Sequence, residues 1–153
     1  MPYIAICGPG DDATDPALLA EAERAGAALA RAGAIVVTGG LGGAMAAACR
    51  GAAQAGGTTL GLLPGTDRRA ANEWVTIAVP TGLGELRNGL VVRSAAVVVA
   101  FLGGWGTLSE VALAGKLGRP VVGVGDWRID GIEIASDGER AAARALDLAQ
   151  PRG

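Results

Sequence analysis

Short apolar runs alternate along the chain with longer stretches in which alanine and leucine recur at helical spacing, and glycine marks nearly every junction. YIAIC, residues 3–7, is closed by Gly8-Pro9-Gly10, the pattern of a buried strand and its turn. Thr14-Asp15-Pro16 supplies a cap and a first-turn proline for a helix that runs to Gly33. AIVVT (34–38) predicts a second strand ending at Gly39-Gly40, and residues 44–56 a helix. TTLGLL (58–63) predicts a third strand, residues 64–72 a polar loop, and VTIAV (75–79) a fourth strand. PTGLG turns the chain into a helix over 85–95. AVVVAFL (96–102), continuously hydrophobic, reads as a fifth strand covered on both faces. A helix from Thr107 to Gly118 leads to a sixth strand at 120–125, an irregular edge at 126–136 and a terminal helix at 137–150. This alternation predicts a single α/β domain over residues 1–153: a doubly wound, Rossmann-like parallel sheet with helices on both faces.

Half of the residues are hydrophobic but only 3% are aromatic, so the core must be built from Ala, Val, Leu and Ile. The net charge is −2 with no basic run, which argues against a nucleic-acid groove. No apolar run reaches the ~20 residues of a membrane span, and the first residues read as a strand rather than a signal peptide. Cys7 and Cys49 form no disulfide framework and read as small buried side chains, which fits a reducing cytoplasm. Histidine is absent and Lys116 is the sole lysine. A zinc site would lack ligands, so no metal and no required cofactor is expected. Chemistry falls to carboxylates, arginines, hydroxyls and backbone amides.

Glycine makes up 26 of 153 residues, and its placement is what matters. Gly8, Gly10, Gly39, Gly40, Gly42, Gly43, Gly103, Gly104 and Gly106 follow expected strand C-termini, the edge at which open α/β sheets bind ligands. GPGDDA fits the loose dinucleotide pattern G-x-G-x-x-G/A. Asp11 and Asp12 would occupy the pyrophosphate position, however, and no acid follows the second strand to hold a ribose, so NAD and FAD are set aside. In FLGGWGTLSE, residues 101–110, two readings coexist. Thr107 and Glu110 have the spacing of a capping box, in which the hydroxyl caps a helical amide and the glutamate reaches back. That leaves Gly103, Gly104 and Gly106 unexplained. Together they would free a group of amides for a phosphate, with Thr107 as a further donor and Glu110 facing the adjoining sugar. Arg87, early in the preceding helix, is placed to hold the same anion, whereas Arg68, Arg69 and Arg93 read as solvated.

TGGLGGAM, LPG, PTGLGELRN and GGWGTLSE together resemble the LOG-like family of Rossmann-fold proteins. That family includes the cytokinin riboside monophosphate phosphoribohydrolases and the molybdenum cofactor carrier proteins, and is often mislabelled as lysine decarboxylase. The likeness runs from Tyr3 to about Gly125. In the hydrolases an arginine is followed, 23 positions later, by the glutamate closing P-G-G-x-G-T-x-x-E, a spacing that Arg87 and Glu110 keep. The resemblance implies a nucleotide-monophosphate-like ligand with its phosphate on Gly103 to Thr107 and with Arg87 and Glu110 as the catalytic pair. It implies further binding residues in Gly39, Gly40, Gly42, Met45 and Asn88. It also implies a homodimer or larger assembly built on helices, and the small apolar helix over 44–56 would suit close packing with a second chain. Leu102 stands where the hydrolases have proline and Asn88 where they have lysine, while PTGLGELRN is closer to the carrier-like branch.

Two functions stay open. One is a carrier that holds a phosphorylated nucleotide or pterin, with the molybdenum cofactor as cargo and Trp105 as an aromatic wall. The alternative is hydrolysis of the N-glycosidic bond of a nucleoside 5′-monophosphate, with Glu110 stabilising charge on the sugar or activating water and Arg87 orienting the substrate. A lysine decarboxylase is set aside because Lys116 lies several turns beyond the loop.

Overall fold

The central apolar runs become strands because both of their faces are covered. The computed structural model describes residues 1–151. β1 (Tyr3–Cys7), β2 (Ile35–Thr38), β3 (Thr59–Leu63), β4 (Ile77–Pro80), β5 (Val97–Phe101), β6 (Val121–Val124) and β7 (Glu133–Ala135) form one wholly parallel sheet. Their order is β4-β3-β2-β1-β5-β6-β7. Among the described residues five helices accompany them: α1 (Pro16–Arg31), α2 (Ala44–Gln54), α3 (Arg87–Ser94), α4 (Trp105–Leu117) and α5 (Gly138–Leu148). Strand alternation sorts the two layers. Ile4, Ile6, Val36, Val97, Val99 and Phe101 pack with α1, α2 and α5. Ala5, Cys7, Val37, Val98 and Ala100 pack with α3 and α4 on the opposite face. The doubly wound parallel sheet expected from the sequence is therefore present.

Three local expectations change. The irregular edge at 126–136 contains a seventh strand, short and largely exposed, which pairs parallel to β6. A tight helical turn over Gly84–Leu86 precedes α3, so the helix proper starts at Arg87. And α4 starts at Trp105, two residues before the threonine expected to cap it. None of the described helices is long and apolar enough to cross a membrane.

With so few aromatic residues, the helices reach their neighbours by coming close. A Cβ at Gly26 of α1 would run into the Ala48 carbonyl of α2, and one at Gly51 of α2 into the Glu23 carbonyl of α1. Ala48, Cys49 and Ala52 are fully buried in the same layer. Gly51 and the buried alanines of α2 thus pack within one chain, whereas Ala46, Ala47 and Ala53 stay partly exposed. Gly51→Ala is expected to destabilise the fold by at least ~1 kcal/mol, because the obstructing atoms are backbone and overpacking strains the core. Gly115, in α4, has nothing within 4 Å of its Cβ position. Gly115→Ala should therefore stabilise by roughly 0.5–1 kcal/mol through helix propensity. Urea unfolding of the two variants checks both signs.

Candidate ligand site

Having built β1 to β4 outward on one side, the chain returns to pair β5 with β1 on the other. Connections therefore leave β1 and β5 in opposite directions and open a crevice at their C-terminal ends, where α/β sheets bind ligands. A cleft of about 380 Å³ lies there, within the size range of small-molecule sites. Of the residues expected to touch a ligand, Met45, Arg87, Asn88, Gly104, Gly106, Thr107 and Glu110 border it. Gly39, Gly40, Gly42 and Gly103 do not.

α4 supplies one wall. Its N-cap is Gly104, whose side chain is absent, and the first amide with a helical partner is that of Leu108, bonded to the Gly104 carbonyl at 3.0 Å. The amides of Trp105, Gly106 and Thr107 meet no backbone acceptor among the described residues. They stand at the positive end of a helix beside the cleft. The capping box does not form. Because α4 begins at Trp105, Thr107 and Glu110 lie inside the helix, on its buried stripe with Val111 and Ala114. Glu110 thus occupies a position whose spacing belongs to the core.

The carboxyl of Glu110 accepts a hydrogen bond at 3.2 Å from the Cys7 thiol at the end of β1. It is 7% exposed, and burial pushes its pKa up from 4.5 to about 7, against the lowering effects of the Cys7 hydrogen bond and the nearby Arg87 charge. The Cys7 thiol is itself pushed well above its ordinary value by burial and by Glu110. Arg87 opens α3 and is 8% exposed. Its Nη1 donates to Asn88 Oδ1 at 2.6 Å, while its Nε is buried without a partner. Burial depresses the guanidinium pKa, and the charges of Glu110 and Cys7 partly restore it. Asn88 Nδ2 donates to Ser109 Oγ at 3.0 Å, and Ser109 Oγ donates to the Gly106 carbonyl at 2.6 Å. A continuous chain of bonds thus links Arg87 to the first turn of α4.

The remaining glycines serve the protein itself. A Cβ at Gly103 would stand 2.6 Å from Thr107 Oγ1, and one at Gly42 about as close to Asp12. Asp12 accepts from the Gly43 amide at 2.8 Å, so the start of α2 is already occupied by a carboxylate. Gly40, at φ 77°, turns the chain after β2 and offers its amide to Thr38 Oγ1 at 3.0 Å. Trp105 is 86% exposed and, like Lys116, does not line the cleft. Gly8 and Gly10, expected at the ligand-binding edge, border the cleft as well, and residues there that sequence reasoning did not single out as ligand-facing include Pro9, Pro64 and Glu85. Pro9 was visible only as part of a strand-ending turn. Cys7 was read only as buried, since nothing local joins it to a partner 103 residues away.

Raising the pKa of Glu110 makes stability depend on pH in a defined direction. Between pH 4.5 and about 7 the unfolded chain has lost the proton that the folded chain retains, so stability falls as pH rises across that window. The full effect is on the order of 3 kcal/mol. Glu110→Gln removes it. The variant should gain on the parent from pH 4.5 to about 7 in denaturant unfolding and keep a constant lead above that, whereas parallel pH profiles throughout would mean that the carboxyl titrates normally.

A family model described as the SLOG cluster4 family matches residues 1–150. Among solved structures, a molybdenum cofactor binding protein from the phototrophic bacterium Rippkaea orientalis is 37% identical, with a TM-score of 0.89 over 97% of this chain and 98% of that one. The molybdenum cofactor carrier protein of Chlamydomonas reinhardtii is 36% identical, with a TM-score of 0.85 over 96% and 97% of the two chains. An uncharacterised protein of Archaeoglobus fulgidus is 37% identical over 100 residues, which is 65% of this chain and 66% of that protein, just under two thirds of its length. The chain belongs to the SLOG cluster4 family.

Proposed function

We infer that the protein binds a phosphorylated pterin or nucleotide in the cleft between β1 and β5, as a carrier with the molybdenum cofactor as cargo. The observation that carries this reading is Arg87, more than nine-tenths buried with its Nε unpartnered, beside the open amides of α4. A buried charge is costly unless an opposite charge meets it, and Glu110, the carboxyl whose charge acts on Arg87, is half protonated near neutrality. An anion is the ligand that such a wall favours. The phosphate would lie on the amides of Trp105 to Thr107, and the guanidinium would supply charge-assisted bonds. The likeness to two proteins named for the molybdenum cofactor supports a pterin as the remainder of the ligand.

One observation favours a second reading. Glu110, with a pKa of about 7, is matched to proton transfer at neutral pH. Hydrolysis of a nucleoside 5′-monophosphate would use it to activate water or to stabilise positive charge on the sugar, with Arg87 orienting the substrate.

Calorimetric titration with a pterin phosphate and with adenosine 5′-monophosphate, together with chromatography of any released base, separates these readings. The carrier reading expects binding without base release, and the hydrolase reading expects release that falls ~100-fold in Glu110→Gln. Arg87→Ala should weaken binding by ~10–100-fold, the loss of a hydrogen-bonded charge. Gly104 offers an independent check, because a Cβ there meets nothing within 4 Å. Gly104→Leu should keep the parent's melting behaviour and lose the ligand. Absence of affinity for every phosphorylated compound at millimolar concentration would sink both readings.

A further inference from the structure

Gly39 follows β2 at the ligand-binding edge of the sheet, yet it borders no part of the cleft. Its backbone gives no reason for glycine, since its φ is not among the positive values that Gly40 and Gly43 adopt. The reason lies in the space above it. A Cβ at this position would fall 2.6 Å from Cζ and 2.7 Å from Nη2 of Arg87, with Nη1 nearer still. All three atoms lie at nearly one distance, so the guanidinium rests face-on against the Gly39 backbone.

We propose that Gly39 is a positioning residue for Arg87: it provides a side-chain-free seat that sets the guanidinium at the cleft. The ligand-facing consequence rests on the reading that Arg87 meets an anion there. Asn88 holds Nη1 from the side at 2.6 Å, and the Gly39 backbone supports the plane from below. Two restraints in different directions fix a planar group, and the second one is neutral, so the positive charge remains available. Adding one methyl group at Gly39 would lift the guanidinium from its seat. It would also change the distance between Arg87 and Glu110, whose pKa the arginine holds down.

A double-mutant cycle with Gly39→Ala and Arg87→Ala tests this. The inference expects Gly39→Ala to lower the melting temperature of the parent and to have little effect once Arg87 is truncated, because the obstruction is then gone. If Gly39→Ala alone does not fold, recovery of folding in the double variant carries the same meaning. Where the single variant folds, affinity for adenosine 5′-monophosphate should drop at least tenfold, and the double variant should bind no worse than Arg87→Ala. A carboxyl NMR titration should show the Glu110 pKa shifted in Gly39→Ala relative to the parent. An equal loss of stability in both backgrounds, or failure of both to fold, overturns the inference. So does unchanged nucleotide affinity in a Gly39→Ala protein whose parent binds. If stability and the Glu110 titration couple as expected while no variant and no parent binds the nucleotide, the seat stands and only the ligand reading falls.

Discussion

Holding Arg87 out of water at the ends of β1 and β5 costs free energy that no carboxylate of the protein fully offsets, and the surroundings follow from that cost. Asn88 takes one nitrogen without neutralising it, and Glu110, itself buried, gives up much of its charge near neutral pH. The open amides of α4 add partial positive charge on the same side of the cleft. A fold optimised for stability alone would put an apolar residue at each position, since replacing buried charged groups is often neutral or stabilising. The arrangement is intelligible when a negative group completes it.

Convergence of these groups depends on side-chain parity. Cys7 points to the same face as Ala5, towards α3 and α4, whereas Ile6 points to the other layer. A one-residue slip of β1 would turn the thiol away from Glu110 and bring isoleucine to the carboxyl. The close approach of α1 and α2 through Gly26 and Gly51 holds the opposite face of the sheet, so that core and cleft are built from different helices.

Much of this was legible in the sequence, because strand runs such as AVVVAFL and the glycines after them respond to local and mean-field effects: burial, turn geometry and period. The meeting of Arg87 and Glu110 in one cleft wall was also legible, through their spacing and the family resemblance. The glycine-rich loops were legible as loops, but not in their roles. Glycines look alike in a sequence, whereas in the structure Gly104 borders a cleft, Gly42 makes room for Asp12 and Gly39 makes room for the Arg87 guanidinium. The capping box misled because Thr-x-x-Glu is a local pattern, and Glu110 answers instead to a thiol on a distant strand. β7 escaped notice because three partly polar residues at a sheet edge carry too little hydrophobic signal.

The pairing of β1 with β5 also bears on how the chain is made. During synthesis β1 to β4 can assemble as soon as residue 80 has emerged, but β1 then waits as the edge of a half-sheet until residues 97–101 follow. Ile4 to Cys7 are almost wholly inaccessible in the finished protein, and in that interval the strand presents an unpaired backbone flanked by apolar side chains. Such an edge is a template for the wrong partner. The strand that completes the cleft therefore also covers the open edge of β1, and passes the same exposure on to itself until β6 is made.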